Sequence, residues 1–226
     1  MLEKLVFGTG EDEYIYYTDD ADAARGLIAR GEPVLGRYDE AAGTDFSGVR
    51  YLFAGEEMPD SDFLRGVWAR IKGLPRTVTE TNRLLIREAV PSDAPALMEL
   101  YEDPEAKKYL PGLKPTVEEE MESIRAYAEC VYDFYDYGMW VIALKENGEL
   151  IGRVGLERYG DREGLELGYM IAAPYRRKGL GEEACRAVLA YAYEVFPEEP
   201  VYARVDSNNK ASLHLAERLN ITIYKE

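Results

Sequence analysis

Three strand-like runs follow one another between Met139 and Ile171 with no room for a helix between them, and this meander restricts the fold more than any other stretch. MWVIAL and ELIGRVGLE flank Asn147-Gly148, a dipeptide that accepts the positive φ angles of a tight hairpin, and GLELGYMI returns after a second polar turn. Strands joined in this way pair antiparallel. Beyond Ile171 the loop AAPYRRKGLG leads into the helical LGEEACRAVLAYAYEVF, followed by the strand VYARVD, the helix NKASLHLAERL and ITIYKE. Upstream, RLLIREAV alternates as a strand and PSDAPALMELYED begins with a capping Ser92 or Asp93. VEEEMESIRAYAECVYDFYDYG then carries apolar residues at helical spacing until Gly138 stops it. The expected class is α/β (α+β), a mixed and largely antiparallel sheet flanked by helices.

Ahead of this region YIYYT, PVLGRY and VRYLFAG read as strands, with ADAARGLIARG and DSDFLRGVWARIKG as helices, the second capped by Asp60 or Ser61. Residues 1–80 thus form a small α/β, Rossmann-like domain, and 83–226 a second domain. The boundary falls between Thr77 and Asn82, where polar residues and a proline interrupt both periodicities.

The formal charge of −16 opposes nucleic acid as a partner and favours a basic or amine-bearing one. No run is apolar for long enough to cross a membrane, and the N-terminus lacks the features of a secretory signal. One histidine and two scattered cysteines cannot build the usual nitrogen and sulfur zinc site, so no metal is expected. Cys130 and Cys185 read as buried free thiols, and the expected location is the cytoplasm.

The loop before the long helix invites an anion. A helix start presents unpaired N–H groups and a partial positive charge, Gly179 and Gly181 allow close approach, and Arg176, Arg177 and Lys178 add charge on an acidic chain. Gly179, Gly181 and Ala184 also satisfy G-x-G-x-x-G/A, with Asp206 at the end of the next strand. That dinucleotide reading stands well behind the plain anion site, because AAPYRRK separates the strand from its glycines and too little chain follows to complete a doubly wound sheet.

Arg176, Gly179 and Gly181 occupy the defining places of (Q/R)-x-x-G-x-(G/A), and here the chain resembles the GNAT superfamily of N-acetyltransferases. LELGYMI, AAPYRRKGLG and VDSNNKAS resemble its ribosomal-protein N-terminal acetyltransferase branch, and the likeness covers 83–226. It implies acetyl transfer from acetyl-CoA to a primary amine on a peptide or small molecule. The cofactor's pyrophosphate would lie on Arg177, Lys178, Gly179, Leu180, Gly181 and Glu182, mainly on their N–H groups, with its pantetheine arm along main-chain atoms of Met170 and Ile171. Asn209 matches a cofactor-contacting asparagine and equally fits a plain helix cap.

An α-amino group with a pKa of about 8 needs less help than a lysine at about 10.4, so the demand for a base depends on the acceptor. Glu166 is the base candidate, acting through water, and it equally fits a salt-bridged surface carboxylate. Many relatives protonate the departing thiolate with a tyrosine where this chain has Ala216. Ser212 matches the serine of the ribosomal-protein branch, as proton donor or as cap. His214 reads as a surface or packing residue, and Asn220 keeps a left-handed turn where relatives have glycine. Tyr127, Tyr132, Phe134, Tyr135, Tyr137 and Trp140 serve packing first and an acceptor pocket second. ITIYKE leaves a sheet edge for a second copy, hence an expected homodimer. A catalytically weak CoA-sensing protein on the same fold is the alternative. YYTDDADAARGLIARGEPVLGRY is similar to the latter part of haloacid-dehalogenase-like hydrolases. Its Asp20-Ala21-Asp22 imitates their D-x-D, but Ala24 breaks the pattern, and the domain reads as degenerate or structural.

Overall fold

A computed structural model describes residues 1–8, 12–55, 57–110 and 112–226. The chain divides into two units, Met1–Arg76 and Thr77–Glu226.

The first unit is built on β2 (Tyr14–Thr18), preceded by β1 (Leu2–Val6). Period-two alternation along YIYYT sends Ile15 and Tyr17 to one core and Tyr16 to the other. Two helices cover these faces: α1 (Ala21–Ile28) packs Ala24 and Leu27 beside Tyr16, and α2 (Ser61–Ile71) packs Leu64 and Val67 beside Ile15 and Tyr17. With β3 (Val34–Arg37) and β4 (Leu52–Phe53) the strand order is β1-β2-β3-β4, antiparallel only between β1 and β2. The D-x-D segment is a helix start. Asp20 Oδ1 accepts from Asp22 N at 2.9 Å and Ala23 N at 3.0 Å.

The second unit begins inside the stretch read as a linker, because β5 (Thr77–Glu80) pairs with β6 (Leu84–Arg87). There follow α3 (Ala94–Tyr101), α4 (Pro104–Tyr109) and α5 (Val117–Tyr127). The single long helix expected to run up to Gly138 is interrupted. A π-helical turn over Ala128–Tyr132 leads into α6 (Asp133–Tyr135), and Asp136 ends it in the left-handed region at φ 53°. A π turn stacks residues five apart. Tyr127 and Tyr132 accordingly lie edge to face with centroids 5.1 Å apart, and both hydroxyls grip one peptide neighbour: Met139 N donates to Tyr127 Oη at 2.9 Å and Tyr132 Oη donates to Met139 O at 2.6 Å.

The meander is β7 (Met139–Leu144), β8 (Leu150–Glu157) and β9 (Leu165–Ile171), antiparallel throughout. Then come α7 (Leu180–Val195), β10 (Val201–Val205), α8 (Lys210–Leu219) and β11 (Thr222–Lys225). Seven strands run in the order β11-β10-β9-β8-β7-β6-β5, the last crossovers making β9, β10 and β11 parallel. One sheet face packs Trp140, Ile142, Val154 and Leu167 against Leu180, Ala184, Cys185 and Val188 of α7. On the other, Val141 and Met170 meet residues of α3 and α5. Cys185 is buried as expected, whereas Cys130, in the π turn, is exposed. Asn220 closes α8 at φ 57°. Among the described residues no helix is long and apolar enough to cross a membrane.

Candidate active site

The sheet opens beside the glycine-bearing loop ahead of α7. β9 and β10 pair through Leu165 with Val201 and Glu166 with Tyr202, and no pairing continues to Ile171. Leu165 N donates toward β10, to Pro200 O at 2.9 Å, and Ala172 N donates toward β8, to Ile151 O at 2.8 Å. Strand alternation then turns the main-chain groups of Leu167, Tyr169 and Ile171 to the opening and those of Met170 to β8. Met170, expected to offer main-chain atoms to a cofactor, thus spends them on the sheet. Ile171 keeps an N–H toward the gap, while its carbonyl accepts from Arg176 Nε at 2.8 Å.

Arg176 has a structural task instead of a ligand-facing one: besides Ile171 O, its guanidinium engages Asp103 just ahead of α4. Arg177 (φ 61°) and Gly179 (φ 77°) both adopt left-handed backbone, the geometry that gathers successive N–H groups around an anion. At Gly179 any Cβ is strained by that angle. No side chain caps α7. Glu183 N donates to Gly179 O at 3.0 Å, so helix geometry leaves the N–H groups just ahead of Glu183 over. Glu182, at this helix start, has its carboxylate drawn aside by Arg186 and Arg218. Arg83, which sequence reasoning did not single out, braces the loop. It donates to Lys178 O at 3.1 Å and to Glu183 Oε2 at 2.7 Å.

Across the opening stands the start of α8. Asn209 Oδ1 accepts from Ser212 N at 3.1 Å, the helix-cap role. Ser212 Oγ donates to Tyr169 Oη at 2.9 Å, and Tyr169 Oη donates to Ser212 O at 2.9 Å. Burial pushes the Tyr169 phenol up to about 12, against an opposing effect of the Ser212 hydrogen bond. The phenol was missed in the sequence, where only its place in GLELGYMI, next to the strand end, marks it.

Below these groups, on the α3 and α5 side of the sheet, lies a cleft of about 720 Å³. Glu157 and Glu166 are cross-strand partners on its floor. Glu166 Oε2 accepts from Arg204 Nε at 2.6 Å, both side chains being 18% exposed, and Arg204 also holds Glu226 at 2.6 Å. Hydrogen bonding to Glu166 raises the Arg204 pKa. The base candidate thus has one oxygen committed to a cation. Glu157 accepts from Tyr127 Oη at 3.1 Å and has no cation partner among the described residues. Of the six aromatics expected to cluster, Tyr127 and Tyr132 line the cleft; Tyr137 and Trp140 belong to the core under α7, and Phe134 and Tyr135 are exposed. Burial raises the pKa of Tyr127 and Tyr132, so both stay hydrogen-bond donors. His214 is exposed.

Residues 83–222 match the sequence profile of the acetyltransferase (GNAT) domain. The chain belongs to the GNAT acetyltransferase family. The matched residues lie in the second unit. Two relatives from Bacillus subtilis (strain 168) are the uncharacterized protein YkkB, 27% identical over 65% of this chain and 86% of its own, and the uncharacterized N-acetyltransferase YoaA, 27% identical over 61% and 78%. Among solved structures, RimL, a ribosomal L7/L12 alpha-N-protein acetyltransferase in complex with coenzyme A, superposes with a TM-score of 0.54 at 18% identity, covering 64% of this chain and 82% of that one. At that identity the GNAT likeness in structure is one of fold. The N-terminal haloacid-dehalogenase resemblance gains no support from these matches, and Asp20 in its cap accounts for the acidic motif.

Proposed function

We propose that this protein transfers the acetyl group of acetyl-CoA to a primary amine, of a peptide N-terminus or a small molecule, bound in the cleft. The observation that carries this reading is the gap between β9 and β10, which joins an uncapped helix start on one side to a carboxylate-lined cleft on the other. The N–H groups from Arg177 to Glu182, including those of Lys178, Gly179, Leu180 and Gly181, would hold the diphosphate, and main-chain groups of Tyr169 and Ile171 the pantetheine arm. Acetyl-CoA supplies an activated acyl group as its thioester.

Glu157, without a cation partner among the described residues, takes the ammonium proton directly or through water, and the Glu166–Arg204 pair holds a fixed charge beside it. The Ile171 N–H is available to a developing oxyanion. The hydrogen-bonded hydroxyls of Ser212 and Tyr169 offer a proton to the departing thiolate, in place of the tyrosine that Ala216 replaces. A carboxylate base suits an α-amino group, with a pKa of about 8, better than a lysine. That preference agrees with the name of RimL. The paired Glu166 gives the alternative, a CoA-sensing protein, its main support. Two cysteines without a disulfide accord with the cytoplasm, and β11, the sheet's last strand, is where a second copy would pair. A monomer by light scattering rejects that dimer.

Incubation with acetyl-CoA and a panel of peptides and small amines, following free thiol, tests the reading. Ser212→Ala combined with Tyr169→Phe is expected to lower kcat roughly 100-fold, a usual size for a lost general acid, with coenzyme affinity kept. Binding of acetyl-CoA without thiol release for any acceptor favours the sensor.

A further inference from the structure

The cleft contains a cation that has no carboxylate partner among the described residues. Arg153 stands on β8, opposite Val141 of β7 and Met170 of β9, and lines the cavity. Its Nη1 donates to Tyr101 Oη and its Nη2 to Met139 O, each at 3.3 Å, and its buried Nε has no hydrogen-bond partner among the described residues. No carboxylate pairs with it among the described residues, on a chain of net charge −16. The other arginines of this cleft are differently placed: Arg158 pairs with Glu199, and Arg204 with Glu166 and Glu226. A guanidinium stays charged at any working pH, and burying it unpaired is costly. Its fork matches a carboxylate with two parallel hydrogen bonds.

We infer that the acceptor is an amine that also carries a carboxylate, an amino acid or an acidic peptide, and that Arg153 binds that carboxylate; this rests on the acetyl-transfer reading for the amine alone. Arg153 is then a specificity-determining residue. Arg153 Nη2 and Tyr127 Oη hold the carbonyl and the N–H of the same residue, Met139, and Tyr127 Oη also reaches Glu157. One backbone position therefore spaces the carboxylate site from the carboxylate that receives the amine proton.

The test is calorimetric titration of the CoA-loaded protein with free α-amino acids, ω-amino acids of increasing length and short acidic peptides, each against its carboxamide. Acids should bind at least ~10-fold more tightly than amides, the usual size of a hydrogen bond to a charged group. Arg153→Gln should erase that ratio with CoA affinity unchanged, and Arg153→Lys should keep part of it. The tighter class identifies the source of the carboxylate, and the ω-series its distance from the amine. Equal affinities of acids and amides in the unaltered protein, no binding of any acid, or an undiminished ratio in soluble Arg153→Gln would each overturn the inference. Thiol release separates the two readings: turnover indifferent to the carboxylate removes the role of Arg153 and leaves acetyl transfer, whereas selective binding of acids without release does the reverse.

Discussion

The two helices of the first unit and α7 of the second begin in opposite ways. In the first unit Asp20 and Asp60 each fold a carboxylate over two N–H groups, Asp60 accepting from Asp62 N at 3.0 Å and Phe63 N at 2.8 Å. In the second, α7 starts from a left-handed glycine with no side chain over its N–H groups. The same partial positive charge is satisfied internally in one case and left open in the other, where the proposed reading puts a diphosphate. A helix start without a capping side chain leaves its N–H groups available at the expense of the stabilisation a cap would give.

That contrast can be broken by giving α7 what α1 and α2 possess. Gly181→Asp brings an anion to the open start, and its Cβ would meet only ordinary or slightly tight contacts, 3.3 Å to Ile171 Cγ1 and 3.6 Å to Leu215 Cδ2. We expect CoA affinity to fall ~100-fold, about 2.8 kcal/mol, by calorimetry; unchanged affinity removes the phosphate assignment. Gly179→Ala sharpens the backbone side of the comparison. Its Cβ has room, the nearest atom being Arg83 Nη2 at 3.6 Å, so the loss of roughly 1–2 kcal/mol in denaturant unfolding comes from the left-handed angle alone. Asp60→Ala should cost about 1 kcal/mol of stability and leave CoA binding untouched.

The smallest effect concerns Glu183. Burial raises its pKa, but hydrogen bonds from Thr81 and Arg83 outweigh this and hold the carboxyl below its usual value near 4.5. A depressed folded value means that its stabilisation is complete above pH 4.5 and fades as pH falls through the folded pKa. Glu183→Gln should therefore lower Tm at neutral pH and flatten the acid limb of a Tm-against-pH curve; parallel curves for both proteins would refute this.

Much of this molecule was legible because local rules governed it. Asn147-Gly148 announced its hairpin, Asp60 its helix, and the glycines after Arg176 their open helix start. The front helices and strands followed from alternation, yet Leu2–Val6 escaped notice, since an exposed edge strand carries little period-two signal. What stayed hidden depended on partners distant in sequence. Thr77 to Glu80 became a strand through β6, and Glu166 acquired Arg204 from another strand. Tyr169 met Ser212 across a gap that no spacing records. Cys130 was expected inside because helical periodicity was extended through a turn that does not obey it.

That widened turn amounts to a single surplus residue wound into a helix. Wound as a regular α-helix with its residue count unchanged, this stretch would set Tyr132 about 100° further around the axis, away from the peptide it clasps, so it is the wide turn that keeps both tyrosines on one face. The wall that Tyr127 and Tyr132 give the cleft thereby depends on one widened turn, and a change of winding here would reshape that wall while leaving the loop ahead of α7 as it is.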